Sequence, residues 1–247
     1  MRALVAQSRA EVLMTLRRGE SVLLALGIPV VLLGFFSMVD VLPRDGGAGV
    51  AEPVDFLFPG VLALAVMSTA MVSLAIATGF ERSYLVLKRL GSTPLGRGRL
   101  LAAKTLAVVV VELLQVVVLV GEAWLLGFSF GRVSWLPALL AAGVATVAFC
   151  GLGMLMAGTL PAMTTLAAAN GLYLVLLLLS GMIVPLGSLP SGVAWVARAL
   201  PSGALAEAMH GSFGAGVGVG VPGRAWVVLL CWAVGAPLVA ARLFRWE

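Results

Sequence analysis

Phe80-Glu81-Arg82-Ser83-Tyr84-Leu85-Val86-Leu87-Lys88-Arg89-Leu90-Gly91-Ser92-Thr93-Pro94-Leu95-Gly96-Arg97-Gly98-Arg99 is a polar interruption between two long apolar runs. It holds five of the sixteen Lys and Arg residues of the chain, and Lys104 follows just behind. Its first half reads as a short helix. Basic residues crowd the last turn, where the helix dipole favours cations, and Gly91 stands where a left-handed C-cap is expected. Ser92 to Pro94 then restart the chain ahead of the next apolar run. A basic helix held against a membrane face is a handle that a cytoplasmic partner can grip and move.

The surrounding composition makes the membrane necessary. Of 247 residues, 61% are hydrophobic and 11% charged, with a mean hydropathy of +1.11. Soluble domains carry roughly 25% charged residues, so no water-soluble core could hide this much apolar surface. The net charge of +5 would suggest nucleic acid in a soluble protein. Here the charges fall between apolar runs, where they read as topogenic, and nucleic acid is not expected as a partner.

Six spans are predicted, at Ser21–Leu42 (with Pro29 as a kink), Phe56–Phe80, Thr105–Leu126, Trp135–Thr159, Met163–Val184 and Ala225–Leu243. Each offers about the ~20 residues that cross ~30 Å of hydrocarbon. Twelve of the sixteen Lys and Arg fall at the N-terminus, in the 81–104 region and in the C-terminal tail. By the positive-inside rule these lie in the cytoplasm.

Residues 1–20 do not have the pattern of a signal peptide, because arginines are spread through them. On a helical wheel Val5, Val12, Leu13 and Leu16 share one face, opposite Gln7, Glu11, Thr15 and Arg18, which suits an interfacial helix. The chain therefore divides into an interfacial helix, 1–20, and a single membrane domain, 21–247. Between the fifth and sixth spans, two helix-like pieces each follow a Pro-Ser-Gly break. Too short to span, they suit a re-entrant segment marked by Pro185, Pro190, Pro201 and Glu207.

Catalysis is not expected. Gly98-Arg99-Leu100-Leu101-Ala102-Ala103-Lys104-Thr105 approaches a phosphate-binding loop, but Ala103 replaces the second glycine and a span follows at once. Cys150, Cys231 and His210 sit apart, so no metal site is predicted, and both cysteines read as small buried residues. Glu112 is the costly residue, two turns inside the third span with Gln115 on the same face. With Asn170 and Tyr173 of the fifth span, these are candidates for a substrate route or a helix interface.

Glu81, Leu87-Lys88-Arg89-Leu90, Ser92-Thr93-Pro94, Arg99-Leu100 and Ala103-Lys104 resemble the cytoplasmic signature of ABC type-2 exporter permeases, with Ser83-Tyr84-Leu85 as a departure. Phe58-Pro59-Gly60, Ser180-Gly181-Met182-Ile183-Val184-Pro185-Leu186, Leu189-Pro190, Ala199-Leu200-Pro201 and Ala206-Glu207 fit the same family in the right order. The resemblance implies an all-α integral membrane protein with six spans, an N-terminal amphipathic helix, a cytoplasmic coupling helix and short re-entrant helices. It implies a transport subunit of the cytoplasmic membrane of a prokaryote, exporting a drug-like or lipid-like molecule. Its partners would be two ATP-binding subunits and a second permease, like or sister, within membrane lipid. ATP and Mg would sit on the ATPase, with no cofactor in this chain. The coupling residues carried over are Glu81, Arg82, Tyr84, Lys88, Arg89, Leu90, Thr93 and Pro94, on a helix expected to be continuous with the second and third spans. Two rivals are a proton-coupled secondary transporter using Glu112 and a non-transporting anchor for an ATPase. The first is disfavoured because no second half of the chain repeats the first.

Overall fold

A computed structural model describes residues 2–17, 19–39, 53–91, 97–183, 190–214 and 220–245. These residues are helical, with no strand among them. The first helices are α1 (Arg2–Arg17) and α2 (Gly19–Met38). Then α3 (Pro53–Met67) runs through a π-helical turn, Ser68–Ser73, into α4 (Leu74–Ser83). The short α5 (Val86–Gly91) precedes α6 (Arg97–Leu125). After a 3₁₀ turn at Phe130–Arg132 come α7 (Trp135–Thr159), α8 (Ala162–Leu178), α9 (Ser191–Ala199), α10 (Pro201–Phe213) and α11 (Gly223–Leu243).

Among the described residues four helices are long and apolar enough to cross a bilayer: Pro53–Ser83, Gly98–Leu125, Trp135–Thr159 and Gly223–Leu243. The 17 residues of α8 are about 26 Å long, short of ~30 Å of hydrocarbon, whereas the 20 residues of α2 come to about 30 Å. The structure thus corrects several boundaries. The first helix stops at Met38, and the fifth stops at Leu178, where Gly181 at φ 76° turns the chain. The third begins at Arg97 rather than Thr105, because the basic residues before Thr105 are good helix formers and simply extend it.

The Pro53–Ser83 rod is the most buried of the long helices, and two features fix how others pack on it. Pro29 has no N–H, so the carbonyl of Ala25 one turn earlier loses its usual donor. Gln115 Nε2 of α6 donates to that carbonyl at 2.8 Å. The same amide accepts at Oε1 from Thr69 Oγ1 of the π turn, 3.1 Å away. One buried amide therefore joins α2, α6 and the rod while satisfying a backbone group in apolar surroundings. On the other side of the π turn lies Gly153 of α7, where a Cβ would come within 2.8 Å of the Met71 carbonyl oxygen. Gly151 similarly admits Pro237 of α11, whose nitrogen would lie 2.5 Å from a Cβ. Small residues on α7 are thus where two neighbours seat at backbone distance.

The two short pieces before the last span are helices, as expected. Almost all of α10 is buried, against α3, α7 and α11. His210 stacks on Phe56 with centroids 4.4 Å apart, and its ring nitrogens lie 2.8 and 3.1 Å from the carbonyls of Ala206 and Phe56. Burial lowers its pKa, against the pull of those two carbonyls. Phe58, Phe128, Phe130, Trp135 and Phe213 close the same end with edge-on and stacked contacts. Glu207 accepts from Arg224 Nη2 at 2.7 Å through both oxygens and lies 3.4 Å from Arg198, so it ties α9, α10 and α11 together. Pro190 and Pro201 immediately precede and open these helices, while Pro185 falls outside the described residues. Cys150 is buried as expected. Cys231 is exposed, off the inward stripe of Ala225, Leu229, Ala236 and Ala240, which corrects the expectation of burial.

Gln115→Leu orphans the Ala25 carbonyl, and the expected loss is about 1–3 kcal/mol, read as a lower thermal midpoint in detergent. Adding Pro29→Ala returns an N–H to that carbonyl and should recover part of the loss. A double variant no more stable than Gln115→Leu would contradict the pairing.

Candidate functional site

The ends of the bundle differ in charge. At one end α1, the close of α4, the start of α6 and the close of α7 and α11 meet, and most of the basic residues lie there. Arg245 N–H donates to the Gly158 carbonyl at 3.1 Å, which brings the C-terminal arginines to the end of α7.

Lys104 organises this end. Its side chain is only 2% exposed, and Nζ lies 3.0 Å from Glu11 Oε2 of α1 and 2.7 Å from Glu81 Oε2 of α4. Gln7 Nε2 donates to the other oxygen of Glu11 at 2.8 Å. A buried ammonium needs carboxylate partners, and α1 supplies one by turning Glu11 and Ser8 inward. Leu13 and Met14 are left exposed. Glu11 and Leu13 thus lie on opposite sides, as on the wheel, with the polar side turned to Lys104.

Arg82 also faces the bundle. Its Nη1 donates to the Ala157 carbonyl at 2.8 Å, near the C-terminus of α7, where the helix dipole welcomes a cation. Glu81 and Arg82, both partly exposed, are therefore tied into the frame.

The outer surface begins at the next residue. Helix α4 ends at Ser83, the Tyr84 N–H donates to the Phe80 carbonyl, and Leu85 takes a left-handed φ of 60° before α5 starts at Val86. A leucine in that region is uncommon and costs on the order of 1–3 kcal/mol. The expected continuity from the second span into the basic helix is thus broken at Tyr84–Leu85. Tyr84 is 73% exposed and Leu85 52%, with Val86 and Lys88 exposed beside them, while Leu87 points inward. The result is an apolar knob with a cation next to it. Arg89 and Leu90 continue α5, whose side chains past Lys88 lie outside the described set, as do Thr93 and Pro94.

The intramembrane candidates do not form one site. Glu112 is buried, with Oε2 2.6 Å from Thr146 Oγ1 of α7 and Oε1 without a partner. Gln115 is committed to Ala25 and Thr69. On α8, Asn170 is exposed and donates to the Leu166 carbonyl of its own helix at 2.8 Å, and Tyr173 is partly buried. That helix packs chiefly on α4, the π turn and α7, so these two residues are not brought to Glu112. Glu122 lies against Gly34 of α2, with one oxygen buried and unpartnered. Reading along the sequence missed Lys104 as a hub and Thr146 as the partner of Glu112. A lysine one residue before a predicted span was the available signal for the first.

Among the described residues no group of three His, Cys, Asp or Glu could hold a metal. The sequence profile described as ABC-2 type transporter matches residues 2–213 of the chain. Comparison with curated proteins returned no match.

Lys104→Met would take the Lys104 ammonium from the buried Glu11 and from Glu81, at an expected cost of about 3–5 kcal/mol, read as a fall in folded protein recovered from membranes. Adding Glu11→Gln and Glu81→Gln should restore much of the recovery. Wild-type recovery of Lys104→Met alone would count against the hub.

Proposed function

The chain belongs to the ABC-2 type transporter family and is a membrane permease part of an ABC transporter, and from that premise we propose that it exports an amphipathic drug-like or lipid-like molecule. A separate ATP-binding subunit supplies the power, with ATP and Mg on that subunit, two copies per complex, beside a second permease of like or sister sequence. In this reading the membrane is that of a prokaryotic cell, and the grouping of twelve basic residues supports a cytoplasmic side for the termini and the Tyr84–Leu85 turn. Six crossings complete this reading, with α2 and α8 added to the four long helices.

The exposed turn carries the proposal. A strained leucine in a knob of Tyr84, Leu85 and Val86 suits a hydrophobic socket on a soluble partner, and the family resemblance adds Lys88, Arg89, Leu90, Thr93 and Pro94 to the residues proposed for coupling. The force path then runs from the knob through Glu81 to Lys104, and from Lys104 to α1 and α6 together. ATP shifts the permease between arrangements only by the difference in contact free energy at this joint. Because α5 is offset from α4 by the turn, the knob swings as a unit about Tyr84 while the ion cluster carries the displacement inward. Glu112, Asn170 and Tyr173 remain proposed contacts along the substrate route, with Gln115 as an interface residue.

Tyr84→Ala combined with Leu85→Asp should release the ATP-binding subunit during co-purification and abolish vanadate-sensitive ATP turnover, with membrane insertion intact. Lys88→Glu with Arg89→Glu should weaken both. Retained association and turnover in all these variants would reject the knob as the docking point.

A further inference from the structure

Glu112 is a buried group that the coupling path does not use. Its side chain is 8% exposed, and its Oε1 has no hydrogen-bond partner. Among the described residues no cation lies within ion-pair reach of it. Lys104, two turns back along α6, is taken up by Glu11 and Glu81.

The hydrogens available at this point can be counted. Thr146 Oγ1 lies 2.6 Å from Glu112 Oε2 and 2.9 Å from the Ala142 carbonyl oxygen. A threonine hydroxyl has one hydrogen, and a carbonyl only accepts. With Glu112 ionised, that single hydrogen faces two acceptors, and a full negative charge is left in apolar surroundings with one oxygen bare. Such a charge is expensive in a membrane interior. With a proton on Oε2, the carboxyl O–H donates to Thr146 and the Thr146 O–H donates to Ala142. Each hydrogen is then used once, and the chain of bonds is cooperative. The bare Oε1 becomes the carbonyl oxygen of a neutral acid.

We propose that Glu112 is a proton-binding site, holding its proton while α6 and α7 are together and releasing it when they part and water enters. The groups around it leave that assignment to Glu112 itself. From α7 come Thr146 and the buried thiol of Cys150, and Cys231 of α11 is exposed away from the bundle. The π turn and α2 present Thr69 and the Ala25 carbonyl to Gln115, not a charge to Glu112. Glu122 is at the far end of α6 beside Gly34, and Glu11, Glu81 and Lys104 form their own cluster at the near end.

The sign of the coupling follows. The closed arrangement binds one more proton than an opened one in which Glu112 is wetted, so acid favours closure. Raising the pH through the closed-state value favours parting. This inference requires only a bilayer-embedded bundle, and it stands or falls separately from export.

Infrared difference spectra of the full chain in lipid bilayers test it. At neutral pH the wild type should show a carboxylic C=O band that shifts in D₂O and is lost in Glu112→Gln. Thr146→Val, which removes the acceptor without touching the acid, should move that band. A spin-label pair across α6 and α7 should lengthen with rising pH in the wild type and not in Glu112→Gln. Loss of a carboxylate band instead in Glu112→Gln, or the same pH response in both proteins, would overturn the proposal.

Discussion

A single ammonium group placed where water cannot reach it determines how one end of this molecule is built. Lys104 is held by Glu11 from the first helix and Glu81 from the close of the buried rod. Once it is buried, the rest is constrained. The helix α6 must already be formed when it passes Lys104, and α1 must present its polar side. Glu81 is withdrawn from the surface, so the exposed contact starts at Tyr84. A buried ion cluster adds little stability over an apolar one of equal volume, and its value lies in fixing which groups meet. Here it fixes three helices that belong to different parts of the chain.

The second constraint is the backbone itself. Inside hydrocarbon every carbonyl needs a donor, and Pro29 removes one. Gln115 repairs that loss and binds the π turn with its other atom, so a local defect becomes a joint between α2, α6 and the rod. Gly151 and Gly153 let α11 and the rod approach α7 closely. The bundle is therefore rigid where backbones touch. Between α4 and α5 the chain turns instead, at Leu85 with its left-handed backbone.

Much of this was legible in the residues. Run length and composition identify the class, because no packing detail alters the need to bury so much apolar surface. The grouping of basic residues anticipates which helix ends meet, and the repeated Pro-Ser-Gly breaks anticipate α9 and α10. Other features depend on distant partners and leave no local trace. Ser83 to Leu90 has acceptable helix composition, and only the tertiary path forces Leu85 to the left-handed region. A wheel drawn on residues 1–17 separates Glu11 from Leu13, but only the lysine far along the chain shows what the Glu11 side meets. Glu112 is conspicuous alone, while Thr146 is one small residue among many on α7. The short α8 reflects where a turn falls rather than where apolar residues stop.

The central claim is that the Tyr84–Leu85 turn is the cytoplasmic joint to an ATP-binding subunit. Its most direct test is labelling of Tyr84→Cys, in a Cys231→Ser background, with a membrane-impermeant thiol reagent in vesicles of known sidedness. The account predicts labelling from the cytoplasmic face alone and protection when the ATP-binding subunit is bound. Labelling from the opposite face, or labelling unchanged by that subunit, would contradict it.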